Sequence, residues 1–203
     1  MEYAATILVA YLMGSSSMTW YLSKWKNINM RAGGSGNLGA SNAVALMGWK
    51  AGILVGIHDF GKSILAVYLA QMIFPDTMYI GAVAGVAAVL GHIFPFYLKF
   101  KGGKGFASYL GMTIALNWKL AIVILLIVGL ILLITDYIVI GTVTTVLTVP
   151  TYLGIVSQSW VLAAILAVAS VVILYKHREN YVRIYNGTEL GFRGVSRGDH
   201  RVK

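Results

Sequence analysis

Three short polar stretches interrupt an otherwise apolar chain, and their residue types suit the holding of anions. Residues 31–42 read R-A-G-G-S-G-N-L-G-A-S-N, with four glycines, two serines and two asparagines in twelve positions. Such a run exposes hydroxyls and backbone N–H groups, and successive N–H groups in turns form concavities that bind anions. Composition alone fits a flexible linker equally well, and it is the position between two apolar segments that favours a site. Residues 99–105 read K-F-K-G-G-K-G, three lysines around three glycines, directly before a short apolar segment. That order suits a phosphate held by backbone donors at a helix N-terminus. The spacing and hydroxyl of a Walker A loop are missing, which argues against nucleotide hydrolysis. Lysines are ordinary in a loop on the positive side of a membrane, so the glycines are the part needing a further reason. In the third stretch His177, Asn180 and Arg183 recur at intervals of three, followed by Gly187, Thr188 and Glu189. On a helix the first three fall near one face. Taken singly, the histidine reads as a surface residue.

The elements that must position these residues are membrane helices. Of 203 residues, 58% are hydrophobic and 11% charged, and the mean hydropathy is +0.77, beyond the range of ordinary soluble domains. A bilayer core takes roughly 20 apolar residues per crossing. Crossings are expected at about 3–23, 51–74, 78–98, 106–117, 120–135, 137–156 and 160–175, with polar joints at 75–77, 117–119, 136 and 157–159. All but two of the 16 lysines and arginines, Lys62 and Lys119, fall in residues 24–50, in 99–104 and after 175. The positive-inside rule puts those three regions in the cytoplasm. Parity then requires segment 106–117 to cross, although its twelve or so residues are short for a span. The expectation is an all-α polytopic bundle of about seven transmembrane helices, one domain over residues 1–203. Its N-terminus lies outside and its C-terminus in the cytoplasm. Glu2 stands where a signal peptide would be basic, so the first segment is read as a retained helix.

The net charge of +9 follows from this topology, with attraction to anionic lipid head groups added. Nucleic-acid binding is not expected, since no soluble basic platform exists to present it. The chain has no cysteine, which excludes disulfides and thiolate metal sites. His58, His92, His177 and His200 lack ligand-like spacing, so no metal site is expected. Inside the second crossing, Asp59 and Lys62 sit at i, i+3 beside His58 and can neutralise one another. A structural ion pair is at least as good a reading as a catalytic one. His92 and Pro95 are expected to serve packing and a kink. Gly81 and Gly85 form a small-xxx-small pair that predicts close helix packing.

Together these residues resemble the bacterial acyl-phosphate:glycerol-3-phosphate acyltransferases, integral membrane enzymes that form lysophosphatidate. A first family motif, roughly S-G-N-x-G-A-T-N-x-x-R, is met by Ser35, Gly36, Asn37, Gly39, Ala40 and Asn42. The second, K-F-K-G-G-K-G, is met throughout residues 99–105. The third, H-R-E-N-x-x-R followed by G-T-E, is met by His177, Arg178, Glu179, Asn180, Arg183, Gly187, Thr188 and Glu189. The D-x-x-K pair matches at Asp59 and Lys62, and the similarity spans nearly the whole chain. The resemblance implies transfer of a fatty acyl chain from acyl phosphate to the sn-1 hydroxyl of glycerol 3-phosphate. It also implies no cofactor, a monomer working in the bilayer of the bacterial cytoplasmic membrane, and an active site facing the cytoplasm. Ser35, Lys104 and His177 are the catalytic candidates it implies. Gly36, Asn37, Ser41, Asn42, Gly102, Gly103, Gly105, Thr142, Asn180 and Glu189 are the substrate-binding ones. Ser35 and the glycine loop look like holders of the donor phosphate, Lys104 a partner for either phosphate, and His177 and Asn180 acceptor ligands. The hydroxyl proton goes either to His177 or to the donor phosphate itself.

Departures from the pattern fall on the acceptor side. The arginine closing the first motif is Ala45, and the family's R-Y-x-S-x-x-S at the sixth helix is represented by Asp136, Tyr137, Val139 and Thr142. Ser41 for threonine and Thr142 for serine are mild. A lost charge-assisted hydrogen bond corresponds to roughly 10- to 150-fold in affinity, so Ala45 opens a second reading, the same chemistry on another acceptor. Asp136 would repel an anionic acceptor at close range. A transporter built on Asp59, Lys62 and the short segment 106–117 is a third reading. The clustering of the motifs on one membrane face, away from the midplane, speaks against it. A catalytically inactive lipid-binding relative is a fourth.

Overall fold

A computed structural model describes residues 1–196. His200 and the last three cations, Arg197, Arg201 and Lys203, lie outside the described residues. The described chain is all helical: α1 (Glu2–Ser15), α2 (Met18–Trp25), α3 (Ala40–Met47), α4 (Trp49–Ile73), α5 (Ile80–Ile93), a 3-10 turn at Phe96–Leu98, α6 (Phe106–Leu116), α7 (Trp118–Thr135), α8 (Ile138–Val156), α9 (Trp160–Lys176), α10 (Arg178–Tyr185) and α11 (Phe192–Ser196).

Four of these helical stretches are long and apolar enough to cross a membrane: α4, α5 with its 3-10 turn, α7 and α8. The pair α9 and α10, bent by 45°, makes a fifth if taken as one span. With 11 residues, α6 rises only about 16 Å at 1.5 Å per residue, roughly half a hydrocarbon core. The crossing expected at 3–23 is broken: α1 ends at Ser15 and α2 restarts after Ser17, whose Oγ accepts the Trp20 N–H at 3.3 Å. A run of Gly14, Ser15, Ser16 and Ser17 accounts for the break, since serine hydroxyls compete for nearby backbone groups. Side-chain caps also mark the starts of α7 and α9. Asn117 Oδ1 accepts from Leu120 N–H at 2.9 Å and Ser159 Oγ from Leu162 N–H at 3.2 Å.

The bundle core runs through Val67, Val89, Tyr109, Ile124, Val146 and Leu166, all buried. The outer faces are apolar too, with Leu126 and Leu133 each 70% exposed on α7. Helices apolar all round belong in a lipid solvent. Gly81 and Gly85 do lie at close contacts, but against the side chains of Gln71 and Met112. The close backbone approaches fall at other glycines, Gly14 on Ala88, Gly91 on Tyr11 and Gly111 on Phe60.

The two ends of the bundle differ. At one, Tyr3 Oη donates to the Met78 carbonyl at 2.8 Å and the Tyr79 and Ser159 hydroxyls lie 2.6 Å apart, joining the start of α1 to the α4–α5 and α8–α9 turns. At the other lie the three polar stretches and the α7–α8 turn.

Candidate active site

The first stretch folds as a loop around one buried amide. Asn42, 3% exposed in the first turn of α3, accepts the Ser35 N–H on Oδ1 at 2.9 Å. Its Nδ2 donates to the carbonyls of Met30 at 3.0 Å and Asn37 at 2.9 Å. Gly34 has φ +57°, and a Cβ there would strike the Asn42 amide, so only glycine fits. Asn42 therefore shapes the loop, with its amide already occupied. Gly36, at φ +66°, donates its N–H to the Gly33 carbonyl at 3.0 Å. The Ser35 and Ser41 side chains are exposed. Arg31 donates its guanidinium to the Lys101 carbonyl, bringing this loop onto the second stretch.

The glycine loop at 102–105 is built against the end of α5. Gly102 N–H donates to the Ile93 carbonyl at 2.9 Å and Gly103 N–H to the His92 carbonyl at 3.2 Å. These two N–H groups are thus engaged with carbonyls left open at a helix C-terminus, and they are not the phosphate donors that the sequence suggests. The donors left at this turn are the Lys104 ammonium and the first-turn N–H groups of α6, for which Gly105 is the N-cap. A Cβ on Gly103 would collide with Nε2 of His92. That contact ties the loop to a buried ionic cluster. The Lys62 ammonium lies 3.1 Å from Asp59 Oδ1, donates to His92 Nδ1 at 2.9 Å and donates to the Ser16 carbonyl at 2.7 Å. His58 Nε2 is 3.0 Å from Ser16 Oγ. The expected Asp59–Lys62 pair is present, and His92 belongs to it as well as packing. An ammonium has no acceptor capacity, so Nδ1 of His92 accepts and its proton sits on Nε2, beside Gly103. Lys62 also satisfies the carbonyl exposed where the first crossing breaks, as a backbone break within a membrane protein requires.

The third stretch joins the second through side chains. Lys104 donates its ammonium to Asn180 Oδ1. Asn180 Nδ2 donates to Glu189 Oε1 at 2.5 Å, and Arg183 Nε donates to Glu189 Oε2 at 2.6 Å. Burial, with the Arg183 charge adding to it and Glu189 opposing, pushes the Lys104 ammonium down to about 8. His177, 5% exposed between α9 and α10, donates Nδ1–H to the Ile173 carbonyl at 2.8 Å. Nε2 is then left as an acceptor. Burial, reinforced by the Lys104 charge, depresses this imidazole to about 4 against the pull of the Ile173 hydrogen bond. It is neutral at physiological pH.

Thr142 stands apart from this chain of contacts: it is 1% exposed in α8 and its hydroxyl donates to the Ile138 carbonyl at 3.1 Å. Lys104, Asn180, Glu189 and Arg183 come together directly, and the Ser35 loop reaches them through Arg31 and Lys101. The residue whose part sequence reasoning understated is His92, read there as serving packing only. Its signal was position, a histidine at the end of an apolar helix just upstream of a glycine loop. In sum the site offers a half-buried cation, helix N–H donors, exposed hydroxyls and a neutral imidazole at one end of an apolar bundle. Such a set can stabilise an anion at that end of the bundle.

The family model for glycerol-3-phosphate acyltransferase matches residues 4–187. A glycerol-3-phosphate acyltransferase of Prochlorococcus marinus (strain MIT 9312) is 35% identical over 188 residues, covering 90% of this chain and 94% of its own. One from Geotalea daltonii is 32% identical over 187 residues, covering 92% and 96%. Among solved structures, PlsY (YgiH), an integral membrane glycerol 3-phosphate acyltransferase in its glycerol 3-phosphate form, superposes with a TM-score of 0.89 at 31% identity, covering 96% of this chain and 98% of its own. Its lysophosphatidic acid form gives 0.85 at 30% identity, covering 95% and 96%.

Proposed function

The chain belongs to the glycerol-3-phosphate acyltransferase family, and from that premise we propose that it transfers a fatty acyl group from acyl phosphate to the sn-1 hydroxyl of glycerol 3-phosphate. The observation carrying this reading is the Lys104–Asn180–Glu189–Arg183 chain, which draws two sequence motifs 76 residues apart into one anion-binding centre. An acyl phosphate is a mixed anhydride, so its carbonyl is already activated. The acceptor oxygen attacks the carbonyl carbon, the bond from that carbon to the phosphate oxygen breaks, and phosphate departs. The protein's work is to position two anions and offset their charge. Ser35, Lys104 and the α6 N-terminus hold the donor phosphate, and His177 Nε2 accepts a hydrogen bond from the acceptor. An imidazole depressed to about 4 is a poor base at neutral pH, so the hydroxyl proton goes to the departing phosphate.

Seven crossings with an outside N-terminus and a cytoplasmic site in a bacterial cytoplasmic membrane fit this chemistry, since both substrates present soluble head groups. The working form in this reading is a monomer. Ala45 favours one second reading, an acceptor other than glycerol 3-phosphate. A single assay addresses both. Purified protein given a long-chain acyl phosphate should release one phosphate per lysophosphatidate formed on glycerol 3-phosphate, ahead of other phosphorylated and neutral acceptors. Lys104→Ala and Ser35→Ala should each lower that rate by about 10²-fold or more. Unchanged rates in both variants would remove the site assignment, and preference for another acceptor would establish the second reading.

A further inference from the structure

Asp136 replaces the family's basic residue at the start of α8, and the structure gives its carboxylate an occupation away from the substrates. The residue caps α7 in the left-handed conformation, φ +65°, with its N–H on the Leu132 carbonyl at 2.9 Å. Its own carbonyl accepts the Phe192 N–H at 2.9 Å and its Oδ1 accepts the Arg193 N–H at 2.9 Å. The Arg193 guanidinium donates to the Leu133 carbonyl at 2.7 Å, with Nε 3.9 Å from Asp136 Oδ1. A Cβ on Gly191 would collide with this carboxylate. Phe192 meets Trp49 at the head of α4 edge-to-face, ring centroids 6.0 Å apart. The segment so pinned begins two residues after Glu189, the acceptor of both Asn180 and Arg183. Two residues of extended chain reach at most about 7 Å, so slack at one anchor is passed to the other.

We propose that Asp136 is a positioning residue for acyl transfer: it straps the 189–193 segment to the α7–α8 turn and thereby holds Glu189 against Asn180, and Asn180 against Lys104. This rests on the placement of Glu189 and Lys104 in the site given above. The strap also gives the acidic residue at this position a partner on the arm, its Oδ1 accepting the Arg193 N–H.

The test is a double-mutant cycle on the full chain, read as kcat/KM for phosphate release with unfolding midpoints alongside. Asp136→Gly keeps the left-handed backbone without strain and removes the carboxylate; a loss of about 10- to 100-fold is expected from the displaced Glu189. Asp136→Asn retains an oxygen for the Arg193 N–H and should stay within about threefold of the parent protein. Gly191→Ala disturbs the same anchor from the other side and should reproduce the loss, which keeps the test open if Asp136→Gly folds poorly. The decisive arm is Glu189→Ala. Activity should fall, and adding Asp136→Gly should then cost nothing further, because residues acting through one another are not additive. Losses that multiply in full, or an Asp136→Gly and Gly191→Ala pair with parental rates, overturn the strap and leave the site reading intact. A Glu189→Ala variant with parental rates removes the site reading, and the strap falls with it.

Discussion

Lys104 is the residue on which the electrostatics of the site turn. Its ammonium is held down to about 8 by burial first and by Arg183 second, so it is cationic below that pH and neutral above it. In the proposed donor-holding role, its attraction for an acyl phosphate is therefore largely present at neutral pH and is lost as pH rises through about 8. The donor KM is expected to climb between about pH 7.5 and 9 in initial-rate assays. Lys104→Arg should flatten that limb, since a guanidinium stays protonated, at a lower maximal rate because its planar fork does not fit the ammonium's place. His177 contributes no limb near 6.5, because it is already neutral down to about 4. A KM indifferent to pH across that range would remove the lysine from donor binding. At this scale the sequence singled out, from contiguous motifs, Lys104 and Asn180, which the fold brings into contact. It was silent on Asn42, whose partners are backbone groups identifiable only once the loop has folded. It also assigned Gly102 and Gly103 a phosphate role although their N–H groups close the end of α5.

Among elements, the ionic cluster between α4 and α5 supports the glycine loop from beneath. Asp59 and Lys62 are 3% and 8% exposed, and removing one leaves the other charge buried without its partner. Lys62→Met is expected to destabilise the protein by about 3–5 kcal/mol, measured as a fall in unfolding midpoint in detergent. Asp59→Asn added to Lys62→Met should recover most of that, because both charges are then gone. A full-strength loss in the double variant would show that the Ser16 carbonyl, left without its donor, is the dominant cost. The i, i+3 spacing of this pair was visible in the sequence. Neither His92, thirty positions away on another helix, nor the break at Ser16 was, since hydropathy averages over a two-residue interruption.

For the whole molecule, composition announced a membrane protein, and the apolar residues facing outward along α7, Leu126 and Leu133 among them, agree with it. The span count is harder, for α1 and α6 are each shorter than a bilayer is thick. The absence of cysteine makes the topology directly measurable. Single cysteines at the exposed positions Lys26, Lys101 and Asn186 should react with an impermeant maleimide from the cytoplasmic face of sealed vesicles. Those at Asp76 and Gln158, also exposed, should react only from the opposite face. Labelling of Lys101→Cys and Asn186→Cys from opposite faces would separate the two halves of the proposed site.

The bond from Lys62 to the Ser16 carbonyl bears on how the protein is made. A peptide oxygen stranded in hydrocarbon is costly until something donates to it, and its donor is synthesised 46 residues later. The N-terminal segment therefore gains a protein donor for its interruption only after α4 has been made. Until then it is either unbroken or held where water can reach the interruption, so withdrawing the break from water waits for the donor helix.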